Sequence, residues 1–287
     1  MKELTVISGK GGTGKTTITA ALVSLASNAT LADADCDASN LQLILTPKIM
    51  EKKEYFGSST AVKIKECSMC GRCREVCRFN AIDEKIRISE VKCEGCGACE
   101  FVCPEDTIEM REEKTGTVFK SRTRFGPMVH SELEIGEEAS GKMVTQVKQA
   151  ARELAEENDL LIIDGSPGIG CPVIASIKGS DHVLVVTEPT VSGVHDLKRV
   201  LSVTDHFGID TSVCINKSDI NPGKVEEIKE FCNETGTPIL GEVPYDESAT
   251  EAMINEETVI EYSESNMSNE IKSLWKKLEK RMDKNDK

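Results

Sequence analysis

The chain has 287 residues, enough for one large α/β domain with a small insert, and a formal net charge of −14. So acidic a surface argues against nucleic acid or an anionic membrane as partner. The opening Met1-Lys2-Glu3-Leu4-Thr5-Val6-Ile7 runs directly into a strand pattern without a signal-peptide organisation, and no apolar run approaches the roughly 20 residues of a membrane span. A cytoplasmic location is expected.

Residues 3–8 form a buried-strand pattern, followed by a glycine-rich turn and a helical stretch over about 15–26. A short strand then ends in Leu31-Ala32-Asp33-Ala34-Asp35. After Leu45 the βα rhythm stops, and charges and turn residues lead into a cysteine block over about 62–112. Residues 117–135 alternate with period two on both sides of Phe125-Gly126-Pro127, which predicts a pair of strands. A helix is expected over about 141–157. Strands at 159–164, 182–187, 211–215 and 238–243 then alternate with helices after Pro172 and over 193–207 and 223–235. Alternation with short connections predicts an α/β fold, a mostly parallel twisted sheet flanked by helices. The cysteine block interrupts it, so the expected boundaries are 1–60 and 113–287 for the α/β domain and 61–112 for the insert. The last dozen residues are charged and are expected to fray.

Gly9-Lys10-Gly11-Gly12-Thr13-Gly14-Lys15-Thr16-Thr17 fits the phosphate-binding pattern G-x-x-x-x-G-K-[ST], and it lies between a strand and a helix as that motif must. The glycines let the backbone N–H groups of Gly11, Gly12, Thr13, Gly14 and onward to Thr17 turn toward phosphates at a helix N-terminus. Lys15 would reach the β- and γ-phosphates, and the Thr16 hydroxyl would ligate Mg²⁺. The alternative is a chance glycine-rich turn. Further on, the apolar run 160–163 ends in Asp164, where a carboxylate could hold Mg²⁺ through water.

Lys10 is a second, early lysine that an ordinary phosphate loop does not need. With it the loop resembles the deviant Walker A motif of the MinD/ParA superfamily of ATPases, which includes the nitrogenase iron protein and the Mrp-type iron–sulfur carriers. The resemblance implies a homodimer formed with ATP, in which Lys10 crosses to the nucleotide of the partner subunit. Asp33-Ala34-Asp35 with Asn40-Leu41 is similar to the second signature of the family, which implies that Asp35 positions or activates the attacking water. Gly165-Ser166-Pro167-Gly168 resembles the switch that senses the γ-phosphate, and Thr187-Glu188-Pro189-Thr190 the next strand–helix junction. Asn216 matches the position that reads adenine, although Asp219 completes an Asn-Lys-x-Asp that invites guanine; the family comparison favours ATP. The implied catalytic set is Lys10, Lys15, Asp35 and Asp164. The resemblance covers about 1–45 and 140–287.

Of the 12 cysteines, eight lie between Cys67 and Cys103, in two runs repeated at an offset of 26 residues. In a reducing compartment such clustering indicates metal ligation. The runs Cys67-x₂-Cys70-x₂-Cys73-x₃-Cys77 and Cys93-x₂-Cys96-x₂-Cys99-x₃-Cys103-Pro104 are two copies of the bacterial ferredoxin pattern. Three closely spaced cysteines can wrap one cube, and the fourth serves the other. Cys67, Cys70, Cys73 and Cys103 are therefore assigned to one [4Fe–4S] cluster, and Cys93, Cys96, Cys99 and Cys77 to the second. Gly71, Gly95, Gly97 and Ala98 would let backbone N–H groups approach the sulfurs. A pair of four-cysteine zinc sites is the alternative, although zinc modules usually pair two C-x₂-C knuckles. Arg78 stands where the ferredoxin pattern has proline, which bears on the potential of its cluster.

Outside the insert, Cys214 and Cys232 have the setting of packing residues. Cys171 lies seven residues after Asp164, where the nitrogenase iron protein resembled here has a cluster cysteine, but no C-x-x-C follows in the C-terminal half. Ile271, Leu274, Trp275, Leu278 and Met282 share one face of a final helix. Packing on the chain's own domain is the expectation and membrane contact the alternative. His130, His182, His195 and His206 show no ligand spacing and are expected at the surface or in loops.

As a whole the chain resembles the ferredoxin-inserted branch of the MinD/Mrp ATPases. The cofactors this implies are ATP/ADP, Mg²⁺ and two [4Fe–4S] clusters. The leading expectation is that nucleotide-driven dimer switching gates electron transfer to a redox or iron–sulfur acceptor protein. The alternatives are an iron–sulfur assembly or delivery factor and a redox-sensing positioning ATPase.

Overall fold

The computed structural model describes residues 1–155 and 160–284. The chain opens with β1 (Lys2–Ser8), α1 (Lys15–Leu25), β2 (Ala29–Asp33) and α2 (Leu41–Leu45). Next come β3 (Lys48–Lys63), the short helices α3 (Arg72–Val76) and α4 (Ala98–Phe101), β4 (Ile108–Arg122) and β5 (Pro127–Leu133). They are followed by α5 (Gly141–Leu154), β6 (Leu160–Pro167), α6 (Cys171–Ile177), β7 (His182–Thr187) and α7 (Val191–His206). The chain ends with β8 (Thr211–Asn216), α8 (Pro222–Glu234), β9 (Ile239–Val243), α9 (Ser248–Ile254), α10 (Val259–Tyr262) and α11 (Asn266–Lys284).

The strands form a sheet in the order β3-β4-β5-β2-β6-β1-β7-β8-β9. Every pairing from β5 across to β9 is parallel. β4 and β5 are neighbours joined by residues 123–126, so they run antiparallel. The expected mostly parallel sheet is what the chain forms. Successive residues of a strand face opposite sides of the sheet, and the central strands are apolar on both. Leu4 and Val6 of β1 and Leu184 and Val186 of β7 pack with α1 and α11 residues such as Ile18, Leu22 and Leu278. Ile7, Val183 and Val185 face the other way, toward Val173, Leu197, Leu201 and Ile228. β1 thus lies at the centre of the α/β part, between β6 and β7, and both of its faces are covered.

The chain divides into two compact units. The larger comprises Met1–Lys53, Val118–Leu133 and the chain from Glu138 on; the smaller comprises Glu54–Thr117 and Glu134–Glu137. The smaller unit extends beyond the 61–112 read from the sequence because β3 and β4 both run into it. β3 is the strand the sequence did not reveal, and the short helices α2, α9 and α10 were also not read from it. The first seven residues of β3 are all exposed, so no apolar alternation marks them.

Other expectations change as well. Residues 276–284, expected to fray, continue α11, whose Trp275, Leu278 and Met282 are buried. Residues 285–287 lie outside the described residues, as do Asp159, the expected first residue of a strand, and the expected helix end at 156–157. His130 and His182, expected at the surface or in loops, are fully buried in β5 and β7. His182 meets Asp210 at 2.9 Å and the Ser212 hydroxyl at 2.7 Å. His130 stacks on Phe119 with ring centroids 5.0 Å apart.

Candidate functional site

The phosphate loop fills the short gap between β1 and α1. Gly12 and Gly14 adopt φ of +80° and +86°, which side chains with a Cβ rarely take, and Gly14 is also the residue that starts α1. Two donors from the end of β8 pin the loop: Asn216 Nδ2 donates to the Thr13 carbonyl at 2.8 Å, and Lys217 Nζ to the Gly12 carbonyl at 2.9 Å. A Cβ on Gly14 would collide with the Asn216 amide, so this close approach also requires glycine.

The parallel register places Asp33 of β2 beside Asp164 of β6. Asp164 is completely buried beneath the loop, and it accepts from Lys15 Nζ at 2.8 Å, Thr16 Oγ1 at 2.8 Å and Thr19 Oγ1 at 2.9 Å. Lys15 also lies 3.3 Å from Asp35 Oδ2. Burial on its own would lower the Lys15 pKa, but Asp164 and Asp35 outweigh it and raise it, so the ammonium stays charged. Burial raises the pKa of Asp35, with Lys15 opposing. Asp33 plays a different part: it accepts from Ser39 Oγ at 2.9 Å and the Leu41 N–H at 3.1 Å, and so shapes the segment leading into α2.

Lys10 points to its own chain. Its ammonium lies 2.7 Å from Glu188 Oε1 and donates to Ser192 Oγ at 2.9 Å. The other Glu188 oxygen pairs with Lys217 at 2.9 Å. Burial would raise the Glu188 pKa, but the two lysines outweigh it and hold the carboxyl below its usual range.

Gly11, Gly12, Gly14, Lys15, Thr16, Thr17, Asp35 and Asn216 line one cleft of about 570 Å³, open to solvent and large enough for a nucleotide. Thr13 is buried behind it. The far wall holds Pro244, Tyr245, Met253 and Met267, none of which the sequence singled out. For Pro244 and Tyr245 a signal was available, because they follow the C-terminal end of β9, where ligands of parallel sheets bind. Asp219 accepts the Tyr245 N–H at 2.7 Å, so that carboxylate oxygen is committed to the backbone.

In the smaller unit the eight cysteines sort into two pockets. One is lined by Cys77, Cys93, Cys96 and Cys99. The other is lined by Cys67, Cys70, Cys73 and Cys103. The internal repeat is visible in the details. Cys73 and Cys99 are buried, Cys70 and Cys96 exposed, and the residues starting α3 and α4 are Gly71 and Gly97, at φ +80° and +74°. Backbone N–H groups approach the sulfurs, Ala81 to Cys77 at 3.4 Å, Thr107 to Cys103 at 3.3 Å and Ala61 to Cys93 at 3.5 Å. Among the described residues, no group of three or more His, Cys, Asp or Glu forms a site for a single metal ion.

Elsewhere, Cys36, Cys214 and Cys232 are buried, and Cys171 is exposed at the first turn of α6. The apolar face of α11 is buried in the sheet core, and among the described residues no helix is long and apolar enough to cross a membrane.

Residues 4–259 match the family described as the CobQ/CobB/MinD/ParA nucleotide binding domain. An uncharacterised protein of Methanocaldococcus jannaschii is 34% identical over 283 residues, which is 96% of each chain. MinD of Pyrococcus horikoshii, solved in complex with Mg-ADP, aligns with a TM-score of 0.58 at 17% identity, covering 99% of this chain and 98% of that one. The MinC:MinD complex of Aquifex aeolicus gives 0.58 at 16% identity, with 98% and 96% covered.

Proposed function

The chain belongs to the CobQ/CobB/MinD/ParA nucleotide-binding family, and from that premise we propose that it is an ATPase whose nucleotide cycle gates electron transfer. In this reading ATP and Mg²⁺ occupy the cleft at the phosphate loop. Lys15 and the loop N–H groups hold the phosphates, Thr16 and Asp164 provide for Mg²⁺, and Asp35 orients the attacking water. Lys10 leaves Glu188 to contact the nucleotide of the partner subunit, which closes a homodimer. Asn216 is the residue for adenine, and the commitment of Asp219 to the Tyr245 backbone favours ATP over GTP.

The observation that carries the redox half is the sorting of the cysteines into the crossed sets 67/70/73/103 and 77/93/96/99. Two C-x₂-C-x₂-C-x₃-C runs that hold two [4Fe–4S] clusters cross in this way, the fourth cysteine of each serving the other cluster. The left-handed glycines and the N–H groups aimed at sulfur suit thiolate-bound clusters, which would supply one-electron redox capacity to an acceptor protein. Connectivity supports coupling: only α2 separates the Asp35 segment from β3, which runs into the cysteine unit. Iron–sulfur delivery is the second reading, favoured by the exposed thiol of Cys171.

Anaerobic reconstitution followed by iron, sulfide and ATPase assays tests the proposal. It predicts iron for two four-iron clusters, and ATP turnover that falls at least about 100-fold in Asp35→Asn. Protein that binds no iron, or Asp35→Asn with full turnover, would contradict it.

A further inference from the structure

Each cysteine of one pocket has a counterpart 26 positions away in the other. Cys77 corresponds to Cys103, and Ala81 to Thr107. The repeat preserves one hydrogen bond, from the N–H of Ala81 or Thr107 to the matching sulfur. Thr107 adds a second contact that Ala81 cannot make: its hydroxyl oxygen lies 3.1 Å from Cys103 Sγ. Thr107 is 2% exposed, so water does not compete for that hydroxyl. A metal-bound thiolate has no proton to give, so the hydroxyl must be the donor.

The pocket walls are otherwise alike. Around Cys77, Cys93, Cys96 and Cys99 stand Ala61, Phe79, Ala81, Ile82, Ile88 and Met110. Around Cys67, Cys70, Cys73 and Cys103 the wall includes Ser68, Arg72, Ile86, Pro104, Glu105 and Thr107, and both linings are predominantly apolar. Charged side chains do not decide the difference. Arg72 and Glu105 oppose each other and are exposed, as is Glu94 at the other pocket, so water screens all three. Arg78 is exposed and lines neither pocket. The Ala61 N–H bond to Cys93, at 3.5 Å, is the longest of the set and does not match a buried hydroxyl. A four-thiolate cluster gains negative charge on reduction, and an added hydrogen bond to a ligating sulfur stabilises that charge.

Resting on the cluster reading above, we infer that the site of Cys67, Cys70, Cys73 and Cys103 has the higher reduction potential of the two, tuned by the Thr107 hydroxyl. One electron given to the module by a one-electron reductant therefore resides at this site, and the Cys77, Cys93, Cys96 and Cys99 site is reduced second.

The test is a dithionite titration of the reconstituted full chain followed by EPR, with iron and sulfide measured on each sample. The wild type shows two separated midpoints. Thr107→Val removes the hydroxyl, keeps the shape and lowers only the upper midpoint; Thr107→Ser restores it. Ala81→Thr, which copies the second repeat into the first, raises only the lower midpoint. Unmoved midpoints in Thr107→Val at full iron content, or coincident midpoints in the wild type, overturn the inference while leaving the clusters in place. Should Thr107→Val lose iron, Ala81→Thr decides, and an unmoved lower midpoint overturns it. Wild-type protein without iron for two clusters fails at the earlier reading instead.

Discussion

Lys15 sits between two carboxylates, Asp164 at 2.8 Å and Asp35 at 3.3 Å, and this arrangement sets what its removal does. Lys15→Ala abolishes MgATP binding by titration calorimetry and leaves the iron content of the cysteine unit unchanged. It also costs on the order of 3 kcal/mol of stability, because two buried carboxylates lose their shared cation. Glu188 makes the opposite prediction. It holds Lys10 within its own chain, so Glu188→Gln strengthens ATP-dependent dimerisation roughly fivefold in sedimentation equilibrium, the equivalent of an ion pair worth about 1 kcal/mol. His130 carries a pH signature. Burial pushes its pKa down to about 4, so the native state stays neutral while the unfolded chain binds a proton below about 6.5. Stability therefore falls as pH drops from about 6.5 toward 4. His130→Phe flattens that slope by up to about 3 kcal/mol in urea titrations compared across the window. The phosphate loop was legible because its chemistry is written in nine consecutive residues. The pairing of Glu188 with Lys10 and Lys217 was not, because only the parallel sheet brings residues so distant in the chain together.

At the scale of elements, α11 shows why a periodic pattern fixes an element but not its partner. The apolar face of Ile271, Leu274, Trp275 and Leu278 was plain in the sequence, yet a membrane surface would satisfy it as well as a sheet. The structure buries it: Leu274 is fully covered and lies against Gly241 of β9, and Lys277 Nζ donates to the Leu240 carbonyl at 2.8 Å. Leu274→Ala is expected to cost about 2–5 kcal/mol in denaturant unfolding. Flotation with anionic vesicles should detect no binding of the wild type, and vesicle-bound protein would contradict the packing role. β3 was illegible for the converse reason, since an exposed run of charged residues carries no face to read.

At the scale of the whole molecule, the order β5-β2-β6-β1-β7-β8-β9 explains why motifs scattered from Gly9 to Asn216 assemble at one end of the sheet. The parallel sheet, though not its strand order, followed from the alternation of strands and helices, and the crossed cysteine sets from the spacing of two four-cysteine runs. The difference between the cysteine pockets did not, because it rests on how the fold places the Thr107 hydroxyl against Cys103. The central claim is that nucleotide in the larger unit alters the redox properties of the smaller. An anaerobic EPR redox titration of the reconstituted protein, with and without MgATP, tests it most directly. The account predicts that MgATP shifts at least one midpoint potential at unchanged iron content, and that Lys15→Ala abolishes the shift. Two midpoints indifferent to MgATP, in protein that hydrolyses it, would contradict coupling.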